Sequence, residues 1–320
     1  MTTLVVRGMR WSSAVLGSIA WVAVFAAAQG GSVPLGTIEQ LFLLAPLVVV
    51  PLGLRLAKNQ REHRERFLHA AELLQPVAAA LLVSSFWLPR GALAGWLASG
   101  WLLVSSLVGF TGLLRFLNAR RLRIAEACFA VGMLYLPIGG IGVFFSRLGT
   151  HLFGFEEPIV LLTAIHFHYT AFATPIITGA VGRALKGSAP FVITLSKVVA
   201  LGVITAPLLI ATGFLFSPIL QVISVVVLAV SLLGLAALLV VVLPRVRPHL
   251  AQMLLAVSAV SLVIGMLLAC VYAIGEFREQ FLISIPQMAR THGVINAFGF
   301  TLCGLLGWRL VAKPAEDQVR

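Results

Sequence analysis

Charge is scarce in this sequence. Only 11% of its 320 residues are Asp, Glu, Lys or Arg, where an ordinary soluble domain carries about a quarter. With 60% hydrophobic residues and a mean hydropathy of +1.03, that scarcity excludes a soluble globular protein. Acids are scarcer still, 11 against 23 Lys and Arg, for a formal charge of +12. In a soluble chain this excess would point to nucleic acid. Here the basic residues occupy short connections between apolar runs, so membrane topology accounts for them and nucleic acid is not the expected partner. Cysteine is rare too. Cys128, Cys270 and Cys303 lie singly in apolar segments, form no CxxC pair or disulfide framework, and read as small core residues. Also missing are a DDxxD acid cluster, HExxH, GxSxG and a phosphate loop, which leaves an enzyme assignment open.

What the sequence does have is length in hydrocarbon. A helix needs about 20 apolar residues to cross a bilayer, and ten runs qualify: 11–29, 38–57, 67–88, 91–114, 124–146, 158–182, 190–214, 218–243, 250–273 and 290–311. Unpaired backbone groups are excluded from lipid and the runs are too long for barrel strands, so they are helices. The expected fold is an all-α polytopic membrane bundle of about ten helices, a single domain over 1–320 with no soluble domain. The basic, apolar and Ala-rich order of the first 31 residues resembles a secretory signal; it reads as a retained first span.

Orientation follows from Lys and Arg. With the N-terminus inside, one set of connections holds Arg7, Arg10, Arg55, Lys58, Arg61, Arg64, Arg66, Arg115, Arg120, Arg121, Arg123, Arg183, Lys186, Arg245, Arg247, Arg309, Lys313 and Arg320. The other set holds only Arg90, Arg147, Arg278 and Arg290. This asymmetry predicts that both termini are cytoplasmic. The polar connector KNQREHRER at 58–66 reads as a solvated loop that anchors this topology. Pro76, Pro137, Pro175 and Pro207 fall inside spans and mark expected kinks, since each removes a backbone donor.

The polar residues within the spans are the candidates for function. A charge at that depth costs several kcal/mol, about 2.5 or more, unless it has a partner. His166, His168 and Tyr169 lie near mid-depth in the sixth run, within EEPIVLLTAIHFHYTAFATPIITGAVGR, and Glu156 and Glu157 precede them. On a regular helix two residues turn about 200°, so the two histidines face opposite sides and chelate no ion together, while His166 shares a face with Tyr169. Glu156 and Glu157 suit the start of a helix, where acids oppose the positive end of its dipole. His292 and Asn296 enter the tenth run from the same side. Near the basic side lie His69, Glu72 and Gln75 in the third run, Glu126 in the fifth and Lys197 in the seventh. His69, Gln75 and Asn296 read as cross-helix hydrogen-bonding contacts. Glu72, Glu126 and Lys197 could form a cytoplasmic-side relay.

The stretches AIHFHYTAFATPIITG and THGVINAFGF resemble the YndJ-like membrane proteins of bacteria. The resemblance implies a multi-spanning protein of the bacterial cytoplasmic membrane and carries no activity. It groups His166, His168 and Tyr169 with His292, Gly293 and Asn296 as one site.

Three functions follow. In the first, a mid-membrane site binds an apolar, lipid- or isoprenoid-like small molecule, or transforms it by acid–base chemistry. His166 or His168 exchanges the proton, Glu157 or His292 orients it, and Tyr169, His292 and Asn296 bind the substrate. The second is a proton-coupled carrier with Glu72, Glu126 and Lys197 at its inner end. The third is a haem or metal site built on the histidines, although the one i, i+3 pair of His69 and Glu72 reverses the usual Glu-x-x-His order of helical bundles.

Overall fold

The computed structural model describes residues 2–58, 65–118, 123–278, 280 and 282–311, without the side chains of 2–12, 276 and 277. Arg61, Arg64, Arg120, Arg121, Lys313 and Arg320, and the side chains of Arg7 and Arg10, used above for orientation, lie outside the described residues.

Ten helical rods run through the described residues at the ten apolar runs. They are α1 (Thr2–Gln29), α2 (Thr37–Ala57), α3 (Arg66–Ser85), α4 (Ala92–Asn118), α5 (Ile124–Leu148), α6 (Ile159–Ala184), α7 (Pro190–Phe216), α8 (Pro218–Arg245), α9 (His249–Phe277) and α10 (Ile285–Leu310). Nine of them are long and apolar enough to span a membrane; in α1 the apolar stretch is the shorter Ser13–Gln29. Among the described residues the only β pairing is an isolated bridge between Leu152 and Phe155.

Local chemistry sets the helix ends. Pro190 and Pro218 open α7 and α8, where the missing N–H costs nothing, and Ser217 Oγ accepts from Leu220 N at 3.3 Å. Ser284 and Gln287 form a reciprocal capping box at the start of α10. Gly149, with φ 77°, closes α5 in the left-handed conformation that glycine takes without penalty.

The chain divides into two compact units at 176/177, within α6. In the first, α2 is the interior helix, buried without a break from Gln40 to Val50, which is why it is apolar on every side. Phe42 of α2, Trp101 of α4, Phe129 of α5 and Phe172 of α6 are among the largest fully buried side chains of this unit. The helices α4 and α5 approach closely because small residues line their seam: a Cβ on Gly109 would stand 2.3 Å from Pro137 Cγ, and one on Gly112 2.5 Å from Ala130 O. In the second unit α7 packs on α8, and α9 on α8 and α10. Exposed Val222, Val226 and Val230 on α8 and Val260, Ile264 and Leu267 on α9 give these helices the apolar exterior of membrane spans.

Within 58–66, read as a solvated connector, Arg66 is exposed, but Lys58 is ion-paired and Glu65 is largely buried. Lys58 Nζ lies 3.2 Å from both carboxylate oxygens of Glu72. Glu65, its side chain 12% exposed, takes a bidentate pair from Arg115 Nε and Nη2 at 2.5 and 2.7 Å. Arg115 Nη1 also donates to Ala57 O at 2.7 Å. The charges brace the ends of α2, α3 and α4, where burial makes a paired carboxylate far cheaper than a lone one. Residues 59–64 between them lie outside the described residues.

Candidate functional site

The helices α2, α6 and α10 each contain wide turns, in which the hydrogen bond spans five residues instead of four: Ala45–Val49, Phe167–Ala173, and Ala289–Gly293 with Ile295–Leu302. Such turns strip a carbonyl of its usual donor and frequently mark functional segments. In the first unit the wide turns of α2 and α6 pack against each other, and side chains supply the missing donors.

Proline begins the sequence of effects in α2. Pro46 has no N–H, and Ala45 N turns to Phe42 O, which leaves Leu41 O for the Tyr169 hydroxyl at 2.8 Å. One turn on, Val50 N bonds Ala45 O across the wide turn, and Gln75 Nε2 of α3 serves Pro46 O at 2.9 Å. In α6, Thr174 N and Thr174 Oγ1 both reach Tyr169 O, the latter at 3.1 Å. His168 is fully buried. Its Nδ1 lies 2.7 Å from Ala164 O, and its Nε2 receives Trp101 Nε1 at 3.0 Å. Indole nitrogen only donates, so Nε2 is bare, the imidazole is neutral and Nδ1 carries the proton to Ala164. Phe42 meets the ring edge-on at 5.4 Å.

His166 differs. It is exposed, and its Nδ1 lies 2.7 Å from Leu162 O. A carbonyl can only accept, so Nδ1 donates and Nε2 keeps a lone pair with no protein partner among the described residues. The two histidines thus face opposite ways, one into the core and one out of it. Tyr169 is buried beside His168 instead of sharing the face of His166, because the wide turn advances each residue by less than the 100° of a regular helix.

The profile of the YndJ-like proteins matches residues 40–300. The chain belongs to the YndJ-like family. A relative, the uncharacterized membrane protein YndJ of Bacillus subtilis (strain 168), is 32% identical over 286 residues, 88% of this chain and 50% of that protein. The chain therefore spans about half the length of the curated relative it matches. No solved structure matches it. Three wide-turned segments, 45–49, 167–173 and 289–293, fall wholly inside the region that defines this YndJ-like chain.

The remaining candidates are placed as follows. In the second unit, His292 Nδ1 lies 2.8 Å from Gly265 O, and Asn296 Nδ2 donates to His292 O at 2.8 Å. A Cβ on Gly265 would stand 2.5 Å from Asn296 Nδ2, so this glycine admits the pair. Lys197 is exposed on α7 of the same unit. In the first unit Glu72 pairs with Lys58, and Glu126 lies in the first turn of α5. Glu156 lies 3.6 Å from His151 Nδ1, and Glu157 3.9 Å from Arg90 Nη2. Glu157 precedes α6, and His166 lies seven residues beyond Ile159, about 10 Å along that helix at 1.5 Å per residue. Among the described residues no three His, Cys, Asp or Glu side chains gather as ligands for a metal ion. Sequence reasoning missed Trp101 and Pro46. Pro46 left a readable signal, an apolar helix lacking one donor, whereas nothing in the sequence singles out Trp101.

Proposed function

We propose that this YndJ-like protein binds an apolar, membrane-dissolved small molecule bearing a hydroxyl or comparable acidic proton, and that His166 receives it. One observation carries the reading: the outward-facing His166 imidazole, its Nδ1–H held by Leu162 O and its Nε2 lone pair unclaimed among the described residues. It lies seven residues beyond Ile159, about 10 Å into the span. In an apolar setting such an acceptor binds a hydroxyl directly, and proton transfer to Nε2 would give an imidazolium stabilised from the other side by the Leu162 carbonyl. His168 and Tyr169 hold the wide turn that presents His166. The membrane is the bacterial cytoplasmic membrane, with both termini inside.

The test is lipid analysis of protein purified in native nanodiscs. Wild type retains an apolar molecule in stoichiometric amount that His166→Ala loses, while the folded fraction stays constant. Identical extracts from the two proteins overturn the reading.

A further inference from the structure

A second polar cluster stands apart from His166, at the opposite end of the first unit from Lys58 and Arg115. Arg147, at the end of α5, is 6% exposed. Its Nη2 donates to Ser85 O at 2.8 Å and Leu88 O at 2.7 Å, the last carbonyls of α3 and its following turn, and its guanidinium carbon lies 4.6 Å from the Phe86 ring centre. Among the described residues these contacts fix the arginine but leave its Nε–H without a hydrogen bond, and the buried hydroxyl of Ser146 has none either. The turn before α6 brings Glu157, whose two carboxylate oxygens are buried and accept no hydrogen bond among the described residues. Its ion-pair partner Arg90 stands at 3.9 Å, beyond hydrogen-bonding distance. Gly91 N donates to Arg147 O at 2.9 Å, which brings the neighbouring Arg90, and through its ion pair Glu157, to this end of α5.

Buried carboxylate oxygens need donors, and a buried guanidinium N–H needs an acceptor. Glu157 is open to donors and Arg147 to acceptors, so an anion would meet the carboxylate and a cation would meet the guanidinium. A neutral group that both donates and accepts answers every open position, and hydroxyl is that group. We propose that this end of the unit binds a neutral ligand with adjacent hydroxyls, a sugar or glycerol head, which donates to Glu157 and accepts from Arg147 Nε. The head could belong to a glycolipid or to a free sugar; the chemistry is shared.

The test uses the full chain in a detergent without a sugar head, since a maltoside would compete, and counts adducts by native mass spectrometry. Monoglucosyl diacylglycerol binds one to one, phosphatidylcholine does not, and Glu157→Gln weakens binding by about tenfold, the effect of one hydrogen bond to a charged group. Ser146→Ala, a milder change, weakens it less and keeps the proposal testable if Glu157→Gln does not fold. Displacement by methyl glucoside shows that the head alone is recognised; binding of the lipid without such displacement assigns the site to a glycolipid. Retention of neither sugar probe, equal retention of phosphatidylcholine, or unchanged binding in both variants overturns the proposal and leaves a hydrated ion cluster.

Discussion

The Tyr169 hydroxyl donates to the carbonyl of Leu41 at 2.8 Å, joining the wide turn of α6 to the proline-interrupted helix α2. The bond is required because Pro46 has no N–H for Phe42 O, so Ala45 N turns to that carbonyl and leaves Leu41 O without its helical donor. Tyr169→Phe keeps the ring and abandons the carbonyl, at a cost of about 1–3 kcal/mol. Thermal unfolding in detergent measures it; an unchanged midpoint would mean that the Leu41 carbonyl finds another donor.

Gln75 performs the same service for Pro46 O, one turn along. Gln75→Leu should destabilise by a similar amount. Because both side chains hold one wide turn, the double variant with Tyr169→Phe should depart from additivity by about 0.5 kcal/mol or more. Strict additivity would show that the two bonds act independently.

Each of the ten runs holds a helical rod, and nine were legible as spans because length and hydropathy alone decide what crosses hydrocarbon; the first run, 11–29, falls short with its apolar stretch Ser13–Gln29. The wide turns were not legible. They depend on which carbonyl loses its donor and on whether a residue far along the chain can replace it, as Gln75 does for Pro46 and Tyr169 for Leu41. For the same reason the shared face of His166 and Tyr169, derived from regular helix geometry, does not survive in α6. The opposed directions of His166 and His168 do survive, since a half-turn tolerates that much unwinding.

Arg115 was legible only as one more topological arginine, yet it clamps Glu65 and Ala57 O together. Arg115→Ala strands a largely buried carboxylate and should cost about 3–5 kcal/mol. Replacing both charges, Arg115→Met with Glu65→Leu, should recover most of that stability in chemical denaturation. A double variant as unstable as the single one would contradict a burial-based account.

The basic asymmetry predicts topology directly. In a chain whose native cysteines are replaced by alanine, an impermeant maleimide applied to intact cells should label Thr150→Cys and spare Lys186→Cys until the cells are opened. Both positions are exposed on connections between helices. The reverse pattern would invert the proposed orientation.

The account rests most heavily on His166 as the contact for an apolar ligand. The most direct measurement is photo-crosslinking in membranes with a diazirine-bearing polyprenol, read by peptide mapping. Labelling should concentrate on 159–184, compete with unlabelled polyprenol, and fall about tenfold in His166→Ala while His69→Ala leaves it unchanged. Labelling spread evenly over the exposed apolar residues of α7, α8 and α9, and indifferent to His166, would contradict it.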